Sequence, residues 1–425
     1  MRWLSALLLA VSAMSSMAQS KCQPDLAART ATIVHRRQAD LLQVKVEEME
    51  TDVAPSLQAQ IGALKNAIAN AVAATMACTT TSEDAPAIQA KLAEALKANL
   101  PEKPFQPSVA KSDETSNGPV YDDQVYGAGI KVAVSAPANA IQLRAIEVSF
   151  GIECGDDTML LIYATSADGW TEALRWQSPD YKEISGAFGD FFLVSILSGD
   201  DAPATWRAVV AHGTPWCTSR FSGFDLDVLA PTADPTHPQI VWHTQRGYSR
   251  GDYESRLRST GDIFEFRINV PALSIDSYER TVFYRYKVES NRVTRLQPIA
   301  LNARGFVDEW ITMPWDEAKD QTDTAASEAM YSVYKGFQHP NNDTYFVEDS
   351  DGPVRACAES KQFQVEIDST KEIIVPGLPG GRTESLPRTY FRVIETGDGY
   401  EMLKASSKPD PTCGGPDLMK KAGVR

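Results

Sequence analysis

Residues 159–176 read Met159-Leu160-Leu161-Ile162-Tyr163-Ala164-Thr165-Ser166-Ala167-Asp168-Gly169-Trp170-Thr171-Glu172-Ala173-Leu174-Arg175-Trp176. Two apolar runs with β-branched and aromatic members flank Asp168-Gly169. An Asp-Gly pair supplies the positive backbone angles of a tight hairpin turn. The stretch therefore predicts two antiparallel strands. The pattern continues on both sides. Before it come Lys131 to Val134 and Gln142 to Phe150. After it come Phe191 to Leu197, Trp206 to Ala211, Gly223 to Leu229, Gln239 to Thr244, Ile263 to Val270, Thr281 to Glu289 and Arg292 to Leu296. Turn residues recur roughly every ten positions and no long helix intervenes. That argues against a doubly wound α/β sheet and for an antiparallel sandwich or open barrel.

Upstream the periodicity becomes helical. Leu57, Ile61, Leu64, Ile68, Val72 and Met76 advance in steps of three or four, one apolar stripe. A preceding segment carries Leu26, Ile33, Leu41 or Leu42, and Met49, with Asp52 to Pro55 between the two. A third helix starts near Asp84, with Pro86 in its first turn and Ile88, Leu92 and Leu96 as its stripe. Prolines at 101, 104, 107 and 119 mark an extended linker.

Downstream, Phe306 to Trp315 breaks the strand pattern and reads as a packed loop. Ala325 to Phe337 predicts a helix with Met330, Val333, Tyr334 and Phe337 on one face. A small β-meander follows: Thr344 to Glu348, Val354 to Ala358, Phe363 to Ile367, Glu372 to Pro376, Thr389 to Glu395 and Tyr400 to Lys404. Its turns are Asp351-Gly352, Asp368-Ser369-Thr370 and Asp398-Gly399.

The fold class is thus α+β: an N-terminal helical hairpin module, then mainly antiparallel β (sandwich or open barrel), then a C-terminal β-meander. The expected boundaries are a signal peptide at 1–18, the helical module at 19–100, the Pro-rich linker at 101–119, the antiparallel β domain at 120–312, and helix plus meander at 313–425.

Arg2, the apolar run Leu4 to Val11 and the small-residue exit Ser16-Met17-Ala18 form the three parts of a cleavable secretory signal. The run is too short to cross a bilayer, which takes about 20 residues. The expected destination is periplasmic or extracellular, with no membrane association after cleavage. All six cysteines lie beyond Ala18, and an oxidising compartment favours disulfides. No C-x-x-C pair occurs, against a zinc knuckle or a thioredoxin-like site. Cys22 precedes the first helix and Cys78 follows the second. In an antiparallel hairpin those ends meet, which predicts a Cys22–Cys78 bond. Cys357 and Cys413 fall together in the meander, leaving Cys154 with Cys217.

A net charge of −15 repels phosphate backbones, which excludes nucleic acid as the expected partner. Gly247-Tyr248-Ser249-Arg250-Gly251 fits the G-x-S-x-G serine turn of esterases, which needs a strand–turn–helix setting; Asp252 to Leu257 is the stretch where that helix could begin. Otherwise it is a polar hairpin loop. Asp308-Glu309 beside Trp310 and Trp315 is the other candidate. Carboxyls next to indoles have raised pKa values, and indoles stack on sugars; buried indoles are equally ordinary core material. Asp225 and Asp227 share a strand face. His237 and His243, six apart on a strand, lie roughly 20 Å from one another and cannot share a metal ion. No metal and no cofactor are expected.

The leading expectation is non-catalytic binding of a protein or glycan by the β region, at Trp310 and Trp315, with self-association through the helical module as a further expectation. The alternative is a secreted hydrolase of glycoside or ester bonds using Asp308 and Glu309, or Ser249.

Overall fold

The computed structural model describes residues 22–44, 52–98, 126–138, 140–198, 206–216, 221–250, 255–273, 279–290, 292–338, 344–350, 352–373, 382–385 and 387–421. The signal peptide, the 101–119 linker, Met49, Cys217 and the Asp351 turn position lie outside them. The fold is α+β, helices first and antiparallel sheets after.

The helices are α1 (Pro24–Leu41), α2 (Pro55–Ala77) and α3 (Ala85–Leu96). Each has proline in its first turn, where the missing N–H costs nothing. Asp84 caps α3, its carboxylate accepting from Ala87 N at 2.9 Å. α1 and α2 are joined by Cys22–Cys78, with Cα atoms 4.4 Å apart. The α2 stripe from Ile61 to Met76 and the whole α3 stripe are buried. In α1 the buried face is Thr30, Val34 and Leu41, whereas Leu26 and Ile33 are exposed. Thr30 tolerates that position because its hydroxyl donates to the Leu26 and Ala27 carbonyls.

Three four-stranded antiparallel sheets follow. The first runs β1 (Lys131–Ser135), β2 (Leu143–Ile152), β3 (Gly155–Ser166), β4 (Gly169–Gln177). The second runs β5 (Gly189–Ser198), β6 (Trp206–Gly213), β7 (Phe221–Ala230), β8 (Gln239–Ser249). The third comprises β9 (Arg256–Thr260), β10 (Ile263–Pro271), β11 (Glu279–Val288) and β12 (Val293–Arg295), neighbours in that order. Within each sheet sequence neighbours are spatial neighbours.

Side-chain alternation stacks these layers. Ile146, Val148, Met159 and Leu161 face the helices. Leu143, Ala145, Leu160 and Ile162 face the second sheet, meeting Val194, Ile196, Ala208 and Val210. Leu193, Val209, Phe224 and Leu226 on its far side meet Phe264, Phe266, Val282 and Tyr284 of the third. With both faces covered, residues 157–163 of β3 are buried without interruption. That explains why the deciding stretch reads as a continuous apolar run and not as an alternation.

A polar bolt crosses the first of these interfaces. Lys65 Nζ of α2 lies 3.0 Å from Asp157 Oδ2 and donates to Ser178 Oγ at 2.6 Å, and Ser178 Oγ donates to Asp157 Oδ1 at 2.8 Å. All three are buried. Every charge there has a partner, which is the condition under which a buried ion pair is tolerated.

Beyond the third sheet the structure departs from expectation. Phe306 to Thr312 is not a loop but part of α4 (Ala303–Thr312), capped by Asn302 Oδ1 at 2.9 Å from Gly305 N. Residues 303–311 are all buried, including Arg304, Asp308 and Glu309 of its polar stripe, so the polar spacing does not mark a solvent face. Next come α5 (Trp315–Asp320) and α6 (Ser327–Phe337). These pack on a seven-stranded sheet of β13 (Thr344–Ser350), β14 (Val354–Cys357), β15 (Gln362–Ile373), β16 (Arg382–Ser385), β17 (Thr389–Thr396), β18 (Gly399–Ser406) and β19 (Cys413–Gly414). The expected turn at Asp368-Ser369-Thr370 lies inside β15. That strand changes partners instead of turning, from β14 and β17 to β13 and β16. Cys357 and Cys413 stand opposite one another in register and are disulfide-bonded. Cys154 is disulfide-bonded too; its expected partner Cys217 lies outside the described residues.

Candidate functional site

The interface between the first and second sheets is apolar at one end and polar at the other. On β2 the inward face runs Leu143, Ala145, Glu147, Ser149. On β5 it runs Ile196, Val194, Phe192, and on β6 Ala208, Val210, His212. At the polar end the sheets part into a groove of about 240 Å³, lined among others by Lys131, Ala133, Glu147, Asp190, Phe191 and Phe192.

Backbone irregularity shapes this groove. The β5–β6 register slips between Gly189 and Phe192, a bulge that brings Asp190 into the left-handed region (φ 65°). Both Phe191 and Phe192 consequently reach the groove. Gly189 is required there, because a Cβ would collide with the Asp156 carbonyl oxygen and with Pro215. Arg250 holds the Asp190 carboxylate with two bonds, of 2.6 and 2.7 Å.

Glu147 is the unusual group. It is only 8% exposed, and its cross-strand neighbours are Ala133 and Leu160. Among the described residues it has no hydrogen bond and no ion pair. Burial pushes its carboxyl up to about 8. At neutral pH it is mostly a protonated acid facing a groove. The other charged groups of the lining are already committed: Lys131 Nζ lies 3.0 Å from Asp156 Oδ2, and Asp190 is held by Arg250.

Behind Phe192 the second sheet carries a ladder of histidine and aspartate. The register pairs His212 with Asp225 and Asp227 with His243. His243 Nδ1 lies 2.9 Å from Asp227 Oδ1, and its Nε2 lies 3.6 Å from Asp225 Oδ1. His212 Nε2 lies 3.6 Å from Asp227 Oδ2. The His212 ring packs on Phe188 at 3.9 Å and Phe192 at 6.1 Å. Burial raises the Asp225 pKa, and the Asp227 charge adds to it while the His212 and His243 charges oppose it. The arrangement places a half-exposed imidazole between two carboxylates. Among the described residues, no group of three or more His, Cys, Asp or Glu side chains has the arrangement of a metal site.

The residues singled out in the sequence lie elsewhere. Ser249 is the last residue of β8, buried, its Oγ without a hydrogen-bond partner. Residues 251–254 lie outside the described residues, and where the description resumes the chain forms a strand, with Leu257 in β9, where the esterase turn would need a helix. His243 is six residues away along the same strand, roughly 20 Å. Asp308 and Glu309 are both buried on α4. Glu309 accepts from Arg280 Nη1 and Arg295 Nη2, each at 2.7 Å. Burial alone would raise its pKa, but the two guanidinium charges hold it at about 2, opposite to the shift expected beside indoles. Trp310 is fully buried and donates to Ala318 O at 3.1 Å and Thr322 Oγ1 at 2.9 Å. Trp315 packs edge-on against it, with ring centroids 6.2 Å apart. The structure thus brings Asp308, Glu309, Trp310 and Trp315 together, but in the core between α4, α5, α6 and the last sheet.

Glu147 was not singled out in the sequence; Asp225 and Asp227 were read there as sharing a strand face, but their pairing with His212 and His243 was not. The available signal was a lone carboxylate inside an otherwise apolar strand, Ala145-Ile146-Glu147-Val148. No protein family and no curated protein matches the chain in sequence.

Proposed function

We propose that this is an exported, disulfide-stapled binding protein, and that its ligand is a protein that inserts one side chain into the groove between the first and second sheets. The observation that carries this is a carboxyl only 8% exposed, with no ion-pair partner among the described residues, facing a cleft. Burial disfavours its charged form, and a ligand that supplies an opposite charge offsets that cost. At about 240 Å³ the groove is smaller than the cavities that hold drug-sized ligands. One side chain is the better match. Among the described residues no indole stands among the exposed large apolar side chains, which weighs against glycan stacking. The disulfides agree with an oxidising compartment, and no described helix is long and apolar enough to cross a membrane.

The test is a titration of the isotope-labelled mature chain with capped single amino acids, followed by NMR. Shifts concentrated at Ala133, Glu147, Ser149 and Phe192 are expected. The same preparation is incubated with p-nitrophenyl acetate and p-nitrophenyl glycosides. Turnover that disappears in Ser249→Ala or in Asp308→Asn would overturn the binding reading in favour of a secreted hydrolase.

A further inference from the structure

We propose that the groove is a receptor for a cationic side chain, that of lysine or arginine, with Glu147 as its counter-ion. This rests on reading the groove as the binding site, and it names the chemistry that the site selects.

Glu147 lines the groove together with Ala133, Phe191 and Phe192, whose side chains give it apolar walls. A long aliphatic stem fits such walls, and a charged head at its end fits a carboxyl. Lysine and arginine combine the two, an apolar stem with a cationic tip. The groups facing Glu147 from every element around the groove leave it available. Lys131 on β1 is paired with Asp156 on β3, and Asp190 on β5 is paired with Arg250. Among the described residues no resident cation reaches Glu147. The acidic character of the whole chain, −15, draws cationic partners toward it.

The proton balance is explicit. Free Glu147 is protonated below about pH 8. A cation placed beside it favours the carboxylate. Binding therefore converts Glu147-COOH plus R-NH₃⁺ into the ion pair, and one proton leaves to solvent. No other bond forms or breaks.

The matched probes are Nα-acetyl-lysine methylamide and Nα-acetyl-norleucine methylamide, whose side chains differ by the terminal amine. The Glu147 carboxyl ¹³C shift is followed from pH 5 to pH 10 with each, on the mature chain. The lysine probe should lower the apparent Glu147 pKa by at least one unit, bind at least tenfold tighter than norleucine at pH 7, and lose that preference in Glu147→Gln. The arginine counterpart in the same series tells ammonium from guanidinium. Equal binding of lysine and norleucine, or a Glu147 titration that lysine leaves unmoved, overturns the counter-ion role while the groove reading stands. Failure of both probes to shift groove resonances at millimolar concentration overturns the groove reading as well. The pH titration uses the unmutated chain, so the outcome does not depend on whether Glu147→Gln folds.

Discussion

Glu147 shows how much one residue's position decides. Its burial raises the carboxyl to about 8 from an ordinary value of 4.5. Between those values the folded chain keeps a proton that the unfolded chain has lost. Stability is therefore fullest below about pH 4.5 and falls as pH rises toward 8, by up to about 5 kcal/mol from this group. Urea unfolding at pH 5 and pH 8 should show the decline in the unmutated chain and a much flatter profile in Glu147→Gln. An unchanged slope in the variant would mean that Glu147 is solvated. The residue was visible in the sequence as part of a strand. What was not visible is that its face is covered, because an antiparallel sheet commonly leaves one face to water.

At the scale of elements, the α1–α2 hairpin was the most legible part. Its apolar stripe and its flanking cysteines agreed on one geometry, and Cys22 and Cys78 are bonded. The link closes a loop of sequence separation 56, so Cys22→Ser with Cys78→Ser should cost about 4 kcal/mol on the chain-entropy account. The loss should be local. Amide exchange should quicken in α1 and the start of α2 while β6 and β10 keep their protection; uniform loss across all sheets would contradict this. The face that α1 buries was read one position off, since Val34 is buried where Ile33 was expected, and Thr30 shares that face. A hydroxyl that satisfies itself on its own helix passes as core, and hydrophobicity patterns do not see it. The opposite failure occurred at α4, where Arg304, Asp308 and Thr312 do stand at helical spacing but the short segment, buried through residue 311, was read as a packed loop.

Across the whole molecule, helices and three sheets stack in chain order, and a second cluster of helices packs on the last sheet. Glu309 ties the third sheet to this second cluster. Its carboxylate, on α4, is held by Arg280 of β11 and Arg295 of β12, and Arg295 also reaches Glu317 of α5 at 2.8 Å. Burial opposes ionisation, yet the arginines hold the carboxyl at about 2. Its folded pKa lies below the unfolded value, so the stabilisation is present above about pH 4.5 and is lost as pH falls toward 2, about 3 kcal/mol in all. Acid titration followed by near-ultraviolet circular dichroism should show the α4–α6 aromatic signal, from Trp310 and Trp315, collapsing over that window. In Glu309→Gln the pH dependence should shrink. An unaltered acid profile would remove Glu309 from the clamp.

The helices-first, strands-after plan, the antiparallel pairing of the first two sheets and the helical hairpin closed by Cys22–Cys78 were determined by the sequence alone. Each rests on local periodicity, turn chemistry or chain connectivity, and these act between near neighbours. Only the tertiary structure decided which sheet faces are covered, that Trp310 and Glu309 are core, and that Glu147 meets β5 across a groove. Those outcomes depend on which layers stack on which. A strand's own residues report its pleat, but not what lies ten ångströms above it.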